Sequence, residues 1–316
     1  MSNLFKLVEP WLMSGDSDDL IALRDQLAWL QAELFDEYEP NRYESFDDCL
    51  AKWLLNSSDE DAQIKMFRLL KHLFFVGKKQ IDALQRSAYS DKTVRWLVDV
   101  LDLNIIDENL NDLIDYAVQR TWFCPITDSL RINGFLKVNG LNGHDHRPDW
   151  RSLEQFGDQD RLRQYVADEV IEQLVLIEDF VGSGTQMNGP IRWAAQTLPN
   201  VQILVVPLIC CPDGVTVGQT ISQECANVSF SPCLSLRPEL FVSSTAKPEE
   251  PSAFSEIRPV IQSIRNRLGV FQHHPYGFEG TGALVTLYSN CPDNTLPLIH
   301  SQTDTWDPLF SRIRRS

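Results

Sequence analysis

The sequence predicts an α/β protein in which a helical N-terminal domain precedes a domain built on an open parallel sheet. In the first part of the chain, apolar side chains such as Leu27 and Leu30 recur every three to four residues, which is the periodicity of amphipathic helices. After Trp122, short apolar runs alternate with helical stretches and with turns that contain glycine or proline, a pattern typical of a parallel sheet. We therefore predict an all-helical domain at residues 1–118 and an α/β domain at residues 119–316.

The N-terminal domain is expected to contain roughly six or seven short helices. Residues 16–19 and 57–61 are rich in serine and acidic residues, which favour helix starts because they cap the first turn and interact well with the helix dipole. Pro40 interrupts the helical pattern. The leucine and aromatic stripes of this domain are those of a helical core. We therefore assign it no catalytic residue and expect it to regulate the second domain or to dock a partner.

The second domain is expected to consist of strands and helices that follow one another along the chain. In order, the predicted elements are a strand at 121–124, a helix at 160–174, a strand at 174–177, a helix at 187–198, a strand at 201–210, a helix at 255–268 and a strand at 283–288. The strands at 174–177 and 201–210 are almost wholly apolar, as expected for strands that are covered on both faces. Ligands of such folds bind at the carboxyl edge of the sheet.

The composition argues against some classes of partner. The chain of 316 residues has 43% hydrophobic residues and a formal net charge of −16, so it is globular and is not a general binder of nucleic acid, which requires clustered lysine and arginine. No apolar run reaches the roughly 18 to 20 residues of a membrane span, and the N-terminus lacks the form of a signal peptide. We expect a cytoplasmic protein that does not contact a membrane. The seven cysteines lack zinc-site spacing and are expected to be reduced and mostly buried.

One turn combines two carboxylates with a row of small residues. The apolar run at 174–177 leads into Glu178 and Asp179, and the sequence Gly-Ser-Gly-Thr-Gln at 182–186 opens the next helix. Glycines allow the backbone to bend and to approach a ligand, and the amides at a helix start bind anions such as a phosphate monoester. Carboxylates accept hydrogen bonds from vicinal sugar hydroxyls or face a magnesium ion carried by phosphates. The turn is therefore a predicted site for a sugar phosphate.

Residues 174–186 resemble the phosphoribosyl-diphosphate (PRPP) motif of type I phosphoribosyltransferases. The resemblance implies a Rossmann-like type I phosphoribosyltransferase-like sheet, with PRPP as ligand and Mg²⁺ held through the ligand's phosphates. It implies that Glu178 and Asp179 are the catalytic acids and contact the ribose hydroxyls. It also implies that the 5′-phosphate is bound by Gly182, Ser183, Gly184, Thr185 and Gln186. The chain departs from the motif at two positions, because Gln186 replaces the usual threonine and Gly182 stands where purine-using members often have an acidic base.

Two further segments are candidates for binding the diphosphate that phosphoribosyl transfer releases. Thr127, Asp128 and Ser129 follow the first predicted strand, and small polar residues there present amides and hydroxyls to an anion. A plain turn is an equally good interpretation of this loop. Lys137 and Arg147 flank a glycine-rich stretch that precedes the motif by the interval at which related enzymes carry a mobile hood. Both side chains are therefore candidates to close on the diphosphate.

The C-terminal part of the chain carries a second recognisable pattern. Pro-Asp-Asn-Thr-Leu-Pro at 292–297 and Trp-Asp-Pro-Leu-Phe at 306–310 resemble segments of the phosphoribosyltransferase-like domain of bacterial conflict systems, over roughly residues 120–316. This resemblance implies an effector of antiphage defence of the kind associated with retrons. It also implies a protein partner in a defence complex, for which a reverse transcriptase with its non-coding RNA is a candidate.

Four residues of the C-terminal part are candidates for the hood or the acceptor side of the site, namely His273, His274, Asp293 and Asn294. The two histidines precede the last predicted strand, where an acceptor would approach the ribose. Because Gly182 supplies no base, an acceptor must already be nucleophilic or be activated from another loop. A hydrogen-bonded turn around Pro292 explains the aspartate and the asparagine equally well.

Three alternatives to an active transferase stay open. The same site could sense PRPP or a nucleotide without catalysis and transmit its occupancy to a partner. Residues 179–185 also resemble the first motif of DNA amino-methyltransferases, with His274-Pro-Tyr276 as a loose form of their catalytic motif. The strand at 201–210 nevertheless lacks the terminal acid that would hold S-adenosylmethionine. The plainest alternative is a glycine-rich turn that binds no ligand.

Overall fold

The structure is a computed structural model that describes residues 3–13, 18–41, 43–127, 130–141, 158–269 and 274–313. The α-helices in these ranges are α1 (Asn3–Leu12), α2 (Asp18–Glu33), α3 (Phe46–Leu55), α4 (Glu60–Leu69), α5 (Lys78–Ser87), α6 (Arg95–Val100), α7 (Leu110–Gln119), α8 (Ile132–Val138), α9 (Gln159–Asp168), α10 (Thr185–Thr197), α11 (Pro212–Glu224), α12 (Ser252–Ile264) and α13 (Pro297–His300). The strands are β1 (Phe74–Val76), β2 (Thr121–Pro125), β3 (Gln173–Val181), β4 (Gln202–Cys210), β5 (Val228–Phe230), β6 (Leu234–Ser235) and β7 (Val285–Leu287). A π-helix, Ala88–Val94, joins α5 to α6, and short 3-10 helices lie at Phe35–Glu37, Glu39–Asn41, Leu70–His72, Pro238–Leu240 and Phe278–Gly280.

The chain forms two compact units. The terminal unit comprises Met1–Lys78 and Pro238–Ser316, and the central unit comprises Lys79–Arg237. These units do not coincide with the predicted domains at 1–118 and 119–316. The physical reason is that β1, in the helical half of the chain, pairs in parallel with β7 near the C-terminus. Helices from both ends of the chain consequently share one hydrophobic core.

A parallel sheet forms the middle of the central unit and confirms the predicted α/β class. Its strands lie in the order β2-β3-β4-β5, and β6 also pairs with β4. Each of these pairings is parallel. The two central strands, β3 and β4, are nine residues long and almost wholly buried, because a parallel sheet is covered on both faces.

Helices cover both faces of this sheet. On one face, side chains of α9, α10 and α11 pack with the strands in one apolar core, including Leu162, Met187, Ile191 and Ile221. Alternate strand residues point to the other face, where the ring of Phe123 lies 5.4 Å from that of Phe135 in α8. Tyr89 of the π-helix packs on Phe123 from the same side, at 6.4 Å between ring centroids. The sheet is thus held between two helical layers. The ends of its strands, where the loops begin, remain available for other contacts.

Aromatic side chains from distant parts of the sequence build the core of the terminal unit. The ring centroid of Phe310 lies 5.0 to 5.8 Å from the rings of four residues, Phe35, Tyr38, Phe46 and Phe75. The buried indole N–H of Trp53 donates to the carbonyl of Leu298 at 2.7 Å. Because each buried aromatic ring removes a large apolar area from water, these contacts join the two halves of the unit firmly.

The strand predicted at 283–288 is present as β7, but it does not extend the main sheet as the predicted α/β alternation requires. It pairs with β1 in a two-stranded sheet of the terminal unit. A short apolar run predicts a buried strand without indicating its partner, and the partner here is a three-residue strand in a region predicted to be all-helical.

The cysteines are free thiols, and five of them are buried, namely Cys49, Cys124, Cys210, Cys211 and Cys291. Cys225 and Cys233 are partly exposed. This agrees with the expectation of reduced, mostly buried cysteines. Across the described ranges, no helix has the length and apolar character needed to cross a bilayer.

Candidate functional site

Strand β3 carries the two predicted acids to the carboxyl edge of the main sheet. Residues 174–177 are completely buried, and Glu178 beyond them is 4% exposed. Pro125, the last residue of β2, lies opposite Ile177, so β3 extends past the end of β2 where the acids begin. On its other side β3 stays paired with β4 through Val181. The acids therefore lie at a step in the sheet edge, beside the loop that leaves β2.

The carboxylate of Glu178 is bonded to that loop. Its Oε2 accepts a hydrogen bond from the backbone N–H of Thr127 at 2.9 Å, and the N–H of Ile126 donates to the carbonyl of Ile177 at 3.1 Å. Hydrogen bonds to a charged acceptor are about twice as strong as neutral ones, so a buried carboxylate fixes the loop well. The structure thus brings Thr127 of the predicted diphosphate loop next to the predicted acid pair, while Asp128 and Ser129 lie outside the described residues.

Asp179 has different surroundings from Glu178. Its Oδ1 accepts a hydrogen bond from the N–H of Phe180 at 2.8 Å, and the residue is half-buried rather than buried. Successive residues of a strand point to opposite faces, so the two carboxylates leave β3 in different directions. Asp179 is consequently the more accessible acid for a ligand at this edge.

The turn after β3 packs closely against α11. Gly184 has a φ of +84°, a conformation that favours glycine, and a Cβ at this position would lie 2.9 Å from the Cβ of Val217. A Cβ on Gly214 would lie 2.8 Å from the carbonyl oxygen of Gly182. Glycine is therefore needed on both sides of this contact, and the turn has the bent form that its sequence predicts.

The start of α10 presents polar groups to solvent. The hydroxyl of Ser183 donates to Oγ1 of Thr185 at 3.1 Å and accepts from the N–H of Thr185 at 3.4 Å. Thr185 and Gln186 are exposed, and the first turn of α10, which is fully described, contains no acidic residue. Amides in a first helical turn lack an acceptor within the helix and lie at the positive end of its dipole. This helix start can therefore bind an anion beside the two carboxylates.

The remaining predicted site residues lie in other parts of the chain. Lys137 is exposed at the end of α8, in the central unit. Arg147 and His273 lie outside the described residues. His274 belongs to the terminal unit, where its ring stacks on that of Phe278 with 6.4 Å between the centroids.

Asp293 and Asn294 also belong to the terminal unit, and both hold a turn there. Oδ2 of Asp293 pairs with the guanidinium of Arg312 at 3.3 Å, and its carbonyl accepts the N–H of Phe278 at 2.8 Å. Nδ2 of Asn294 donates to Oγ1 of Thr281 at 2.9 Å. These contacts account for both residues as parts of a hydrogen-bonded turn.

Two groups that shape the site were not predicted. The first is the backbone amide of Thr127, since every residue except proline carries such a group and no residue pattern singles it out. The second is the glycine face of α11, where a Cβ on Gly218 would lie 2.3 Å from the ring of Phe230. Gly214 and Gly218 are four residues apart, which places them on one side of the helix. That spacing is the signal from which a closely packed helix could have been predicted.

Comparison with known protein families decides what kind of domain carries this site. The family model PRTase-CE matches residues 50–312. The chain belongs to the PRTase-CE family. The prediction of a phosphoribosyltransferase-like domain is thereby confirmed, and the PRTase-CE match begins within α3 and includes parts of both compact units. Comparisons with curated proteins and with solved structures gave no match.

Membership of the PRTase-CE family favours the sugar-phosphate interpretation of the turn over the methyltransferase one. The methyltransferase interpretation also needs an acid at the end of β4 to hold S-adenosylmethionine, and β4 ends at Cys210. The acid pair and the start of α10, in contrast, follow one another along the chain.

Proposed function

We propose that this PRTase-CE chain binds PRPP, or a nucleotide-like ribose phosphate, and transfers the phosphoribosyl group to an acceptor. The observation that carries the proposal is the position of Glu178 and Asp179 directly before the exposed helix start at Thr185 and Gln186. A ribose 5-phosphate needs both parts of this arrangement. Its hydroxyls donate to carboxylates, and its phosphate accepts hydrogen bonds from the amides of a helix start.

Each part of the ligand has a matching part of the site. The 5′-phosphate is assigned to the turn at 182–186, where the side chain of Gln186 offers an amide donor in place of the usual threonine hydroxyl. The ribose hydroxyls are assigned to Asp179 and Glu178. The diphosphate is assigned to the loop that begins at Thr127, because the bond from Thr127 to Glu178 holds that loop at the same edge.

In the proposed reaction, a nucleophile bonds to C1′ of the ribose while the bond from C1′ to the diphosphate oxygen breaks. The ribose gains positive charge in the transition state, and Glu178 and Asp179 stabilise this charge without having to reorient. When Mg²⁺ is bound, it neutralises charge on the leaving diphosphate. The ion would be held through the ligand's phosphates, with the half-buried carboxylate of Asp179 nearby.

The acceptor is proposed not to be a free purine. Gly182 supplies no carboxylate to accept a proton from a purine nitrogen, so the acceptor must be a better nucleophile or be activated by another loop. We therefore expect no turnover of hypoxanthine, guanine, adenine or orotate with PRPP. Rapid diphosphate release in the presence of any of these bases would contradict this part of the proposal.

Isothermal calorimetry with PRPP and Mg²⁺ tests the site directly. The wild type should bind, and Asp179→Asn combined with Ser183→Ala should bind about tenfold or more weakly, since a hydrogen bond to a charged group contributes about 1.5–3 kcal/mol. Glu169→Gln is the matched control, because this exposed acid precedes β3 at the opposite edge of the sheet. Unchanged affinity in the double variant would show that the turn is not the PRPP site.

A non-catalytic sensor of PRPP is the second candidate, and the absence of a base at Gly182 favours it. The two candidates differ in one measurement, which is the release of diphosphate from bound PRPP in the presence of the cognate partner. A transferase releases diphosphate in a manner that depends on Glu178 and Asp179. A sensor also needs Glu178 and Asp179 to bind PRPP, but it releases no diphosphate.

We further propose that this activity serves antiphage defence together with a protein partner, for which a reverse transcriptase with its non-coding RNA is the candidate. The support is the resemblance of residues 292–297 and 306–310 to domains of bacterial conflict systems. Protection from phage should require the acid pair when the chain is expressed with its neighbouring genes. Equal protection by a Glu178→Gln, Asp179→Asn double variant at equal protein levels would leave a scaffold role instead.

A further inference from the structure

One surface of the central unit exposes large apolar side chains. It consists of the loop at 101–109 and one side of α7, and it is termed the α7 surface below. Its exposed apolar residues and their exposed fractions are Leu101 (37%), Ile105 (72%), Ile106 (83%), Leu113 (40%) and Tyr116 (55%). Large apolar side chains exposed within one short stretch of sequence indicate an interaction site, because leaving them in water costs free energy.

Hydrogen bonds hold the loop in a defined form with its isoleucines outward. The N–H of Leu103 donates to the carbonyl of Val98 at 2.9 Å, and the N–H of Asp107 donates to the carbonyl of Asn104 at 3.0 Å. The side chain of Asn104 accepts the N–H of Ile106 at 3.2 Å. The exposed isoleucines thus belong to an ordered series of turns, which presents them in a fixed position.

Helix α7 continues the same surface. Leu113 and Tyr116 are three residues apart and so are neighbours on the helix surface. Ala117, four residues after Leu113, is buried, so Leu113 lies at the border of the buried side and Tyr116 lies on the exposed side. Helix α7 has ten residues and is therefore about 15 Å long, since a helix rises about 1.5 Å per residue. A partner segment of about three helical turns matches the length of α7.

The α7 surface is also strongly acidic. Residues 96–119 include no lysine, arginine or histidine and contain six acidic residues, which are Asp99, Asp102, Asp107, Glu108, Asp112 and Asp115. Within the described part of the chain, none of these six forms a salt bridge. Their negative charge is thus available to a cationic partner.

We propose that the α7 surface docks a basic amphipathic helix of a partner protein. Apolar anchors in such a helix cover the isoleucines, while its lysines and arginines face the surrounding acids. One face of the Tyr116 ring is already covered by the guanidinium of Arg120, which lies 3.8 Å from the ring centroid. A second copy of this chain does not fit, because a symmetric contact places each acidic surface against itself. Nucleic acid and anionic membranes are repelled by the same charge.

The proposed docking surface is remote from the PRPP site. α7 ends at Gln119, and the carbonyl of Arg120 accepts the N–H groups of Glu172 and Gln173 at 2.9 and 3.3 Å, which ties this region to the start of β3. Glu178 lies five residues along that strand, about 17 Å away at the opposite edge. A docked helix therefore leaves the ligand site open, and the inference does not depend on the proposed ligand.

The test uses a fluorescent amphipathic peptide of leucine and lysine, about 18 residues long and helical when bound, with the intact chain. Its affinity is measured by anisotropy for Ile105→Ser with Ile106→Ser and for Glu108→Gln with Asp112→Asn. We expect each variant to bind about tenfold more weakly than the wild type. Circular dichroism checks that the variants fold, which exposed positions favour.

Matched controls remove similar groups from the terminal unit. They are Trp29→Ser, which removes a side chain that is 63% exposed, and Glu239→Gln with Asp304→Asn, which removes two exposed acids. We expect both to change the affinity less than about twofold. Equal losses in the control and test variants would overturn the proposal, because the peptide would then respond to net charge alone. A dimer in sedimentation velocity that the isoleucine variant dissociates would overturn it as well, by making a second copy the occupant.

Discussion

The carboxylate of Glu178 and the backbone N–H of Thr127 form a 2.9 Å hydrogen bond that joins the loop after β2 to strand β3, shortly before the turn at 182–186. Glu178 is 4% exposed and Thr127 is half-buried, so this bond is partly shielded from water, which strengthens it. In the proposed complex, the loop after β2 holds the diphosphate and the turn holds the ribose 5-phosphate. Glu178 therefore sets the distance between two parts of one ligand in addition to any contact with the ribose.

The first prediction concerns Glu178. Replacement by alanine leaves the N–H of Thr127 without this acceptor, which costs about 1–3 kcal/mol for a buried group. Replacement by glutamine keeps an acceptor of similar size and should cost less than about 1 kcal/mol. Hydrogen exchange of the segment around Thr127 should accelerate in Glu178→Ala and return close to the wild-type rate in Glu178→Gln. Equal protection in all three proteins would show that the bond does not hold the loop.

Ligand fragments separate the two roles of Glu178. Diphosphate alone is predicted to occupy the Thr127 loop, whereas ribose 5-phosphate alone is predicted to occupy the turn at 182–186. Glu178→Ala should lower the affinity for both fragments. Glu178→Gln should lower mainly the affinity for ribose 5-phosphate, since it preserves the hydrogen bond that holds the loop. If Glu178→Ala leaves diphosphate affinity unchanged by calorimetry, the loop is not the diphosphate site.

The second prediction concerns Gly184. Alanine at this position must adopt a φ of +84° with its Cβ 2.9 Å from that of Val217. The backbone strain costs roughly 1 kcal/mol, and the overpacking costs typically 1–3 kcal/mol more. Gly184→Ala should therefore lower both the urea midpoint and the affinity for ribose 5-phosphate.

Gly189 is the matched control for this prediction. It lies within α10, and a Cβ there meets no atom within 4 Å outside its chain neighbours and the backbone of its own helix. Gly189→Ala should therefore change the stability by less than about 1 kcal/mol, because the gain in helix propensity is opposed by crowding against Pro190. Val217→Ala should rescue Gly184→Ala only in part, because it removes the two γ carbons that lie 3.2 Å from the new Cβ but keeps the Cβ of residue 217 at 2.9 Å. Equal effects of alanine at the two glycines would contradict the packing of the turn against α11.

Much of the central unit was predictable from the sequence. The runs at 174–177 and 201–210 are apolar enough to identify buried parallel strands, and the glycines at 182 and 184 identify the bent turn between β3 and α10. Each of these signals is local, since the residues that produce it are neighbours in the sequence. The acid pair and the helix start could therefore be placed together without knowledge of the fold.

The features that escaped prediction depend on contacts between distant segments. The pairing of β1 with β7 joins the two ends of the chain, and two short apolar runs give no indication that they are partners. The same pairing removes β7 from the main sheet and makes the terminal unit discontinuous. The hydrogen bond between Thr127 and Glu178 could not be predicted from the sequence either, because its donor is a backbone amide, which every residue except proline has.

The third prediction concerns the thiols. Burial raises the pKa of Cys49, Cys210 and Cys291 to about 12, so very few of these groups are thiolates at pH 8. They should react slowly with a disulfide reagent in the native protein, while Cys225, which is partly exposed, should react first. All seven cysteines should react in guanidinium. Rapid loss of most thiols from the native chain would contradict their burial.

The fourth prediction concerns the pH dependence of the terminal unit. Glu250 forms an ion pair with Arg258, whose guanidinium also donates to the carbonyls of Ser243 at 2.8 Å and Thr245 at 3.2 Å. Hydrogen bonds from Arg258 lower the pKa of Glu250 from 4.5 to about 2. Because the folded-state pKa is the lower one, the pair stabilises the folded protein fully above about pH 4.5 and loses this contribution as the pH falls toward 2.

Glu250→Gln should therefore lower the free energy of unfolding by about 1–3 kcal/mol at pH 7, and the difference from the wild type should shrink by more than about half at pH 3. Glu249→Gln is the control, since it removes the neighbouring carboxylate, which is exposed. Urea unfolding at pH 7 and pH 3 measures both differences. A difference for Glu250→Gln that is the same at both values of pH, or that increases at pH 3, would mean that the carboxylate of Glu250 does not stabilise the fold through its charge. Arg258 would then act through the carbonyls of Ser243 and Thr245 alone, and Arg258→Lys, which cannot reach both carbonyls and the carboxylate at once, would be the more damaging change at either pH.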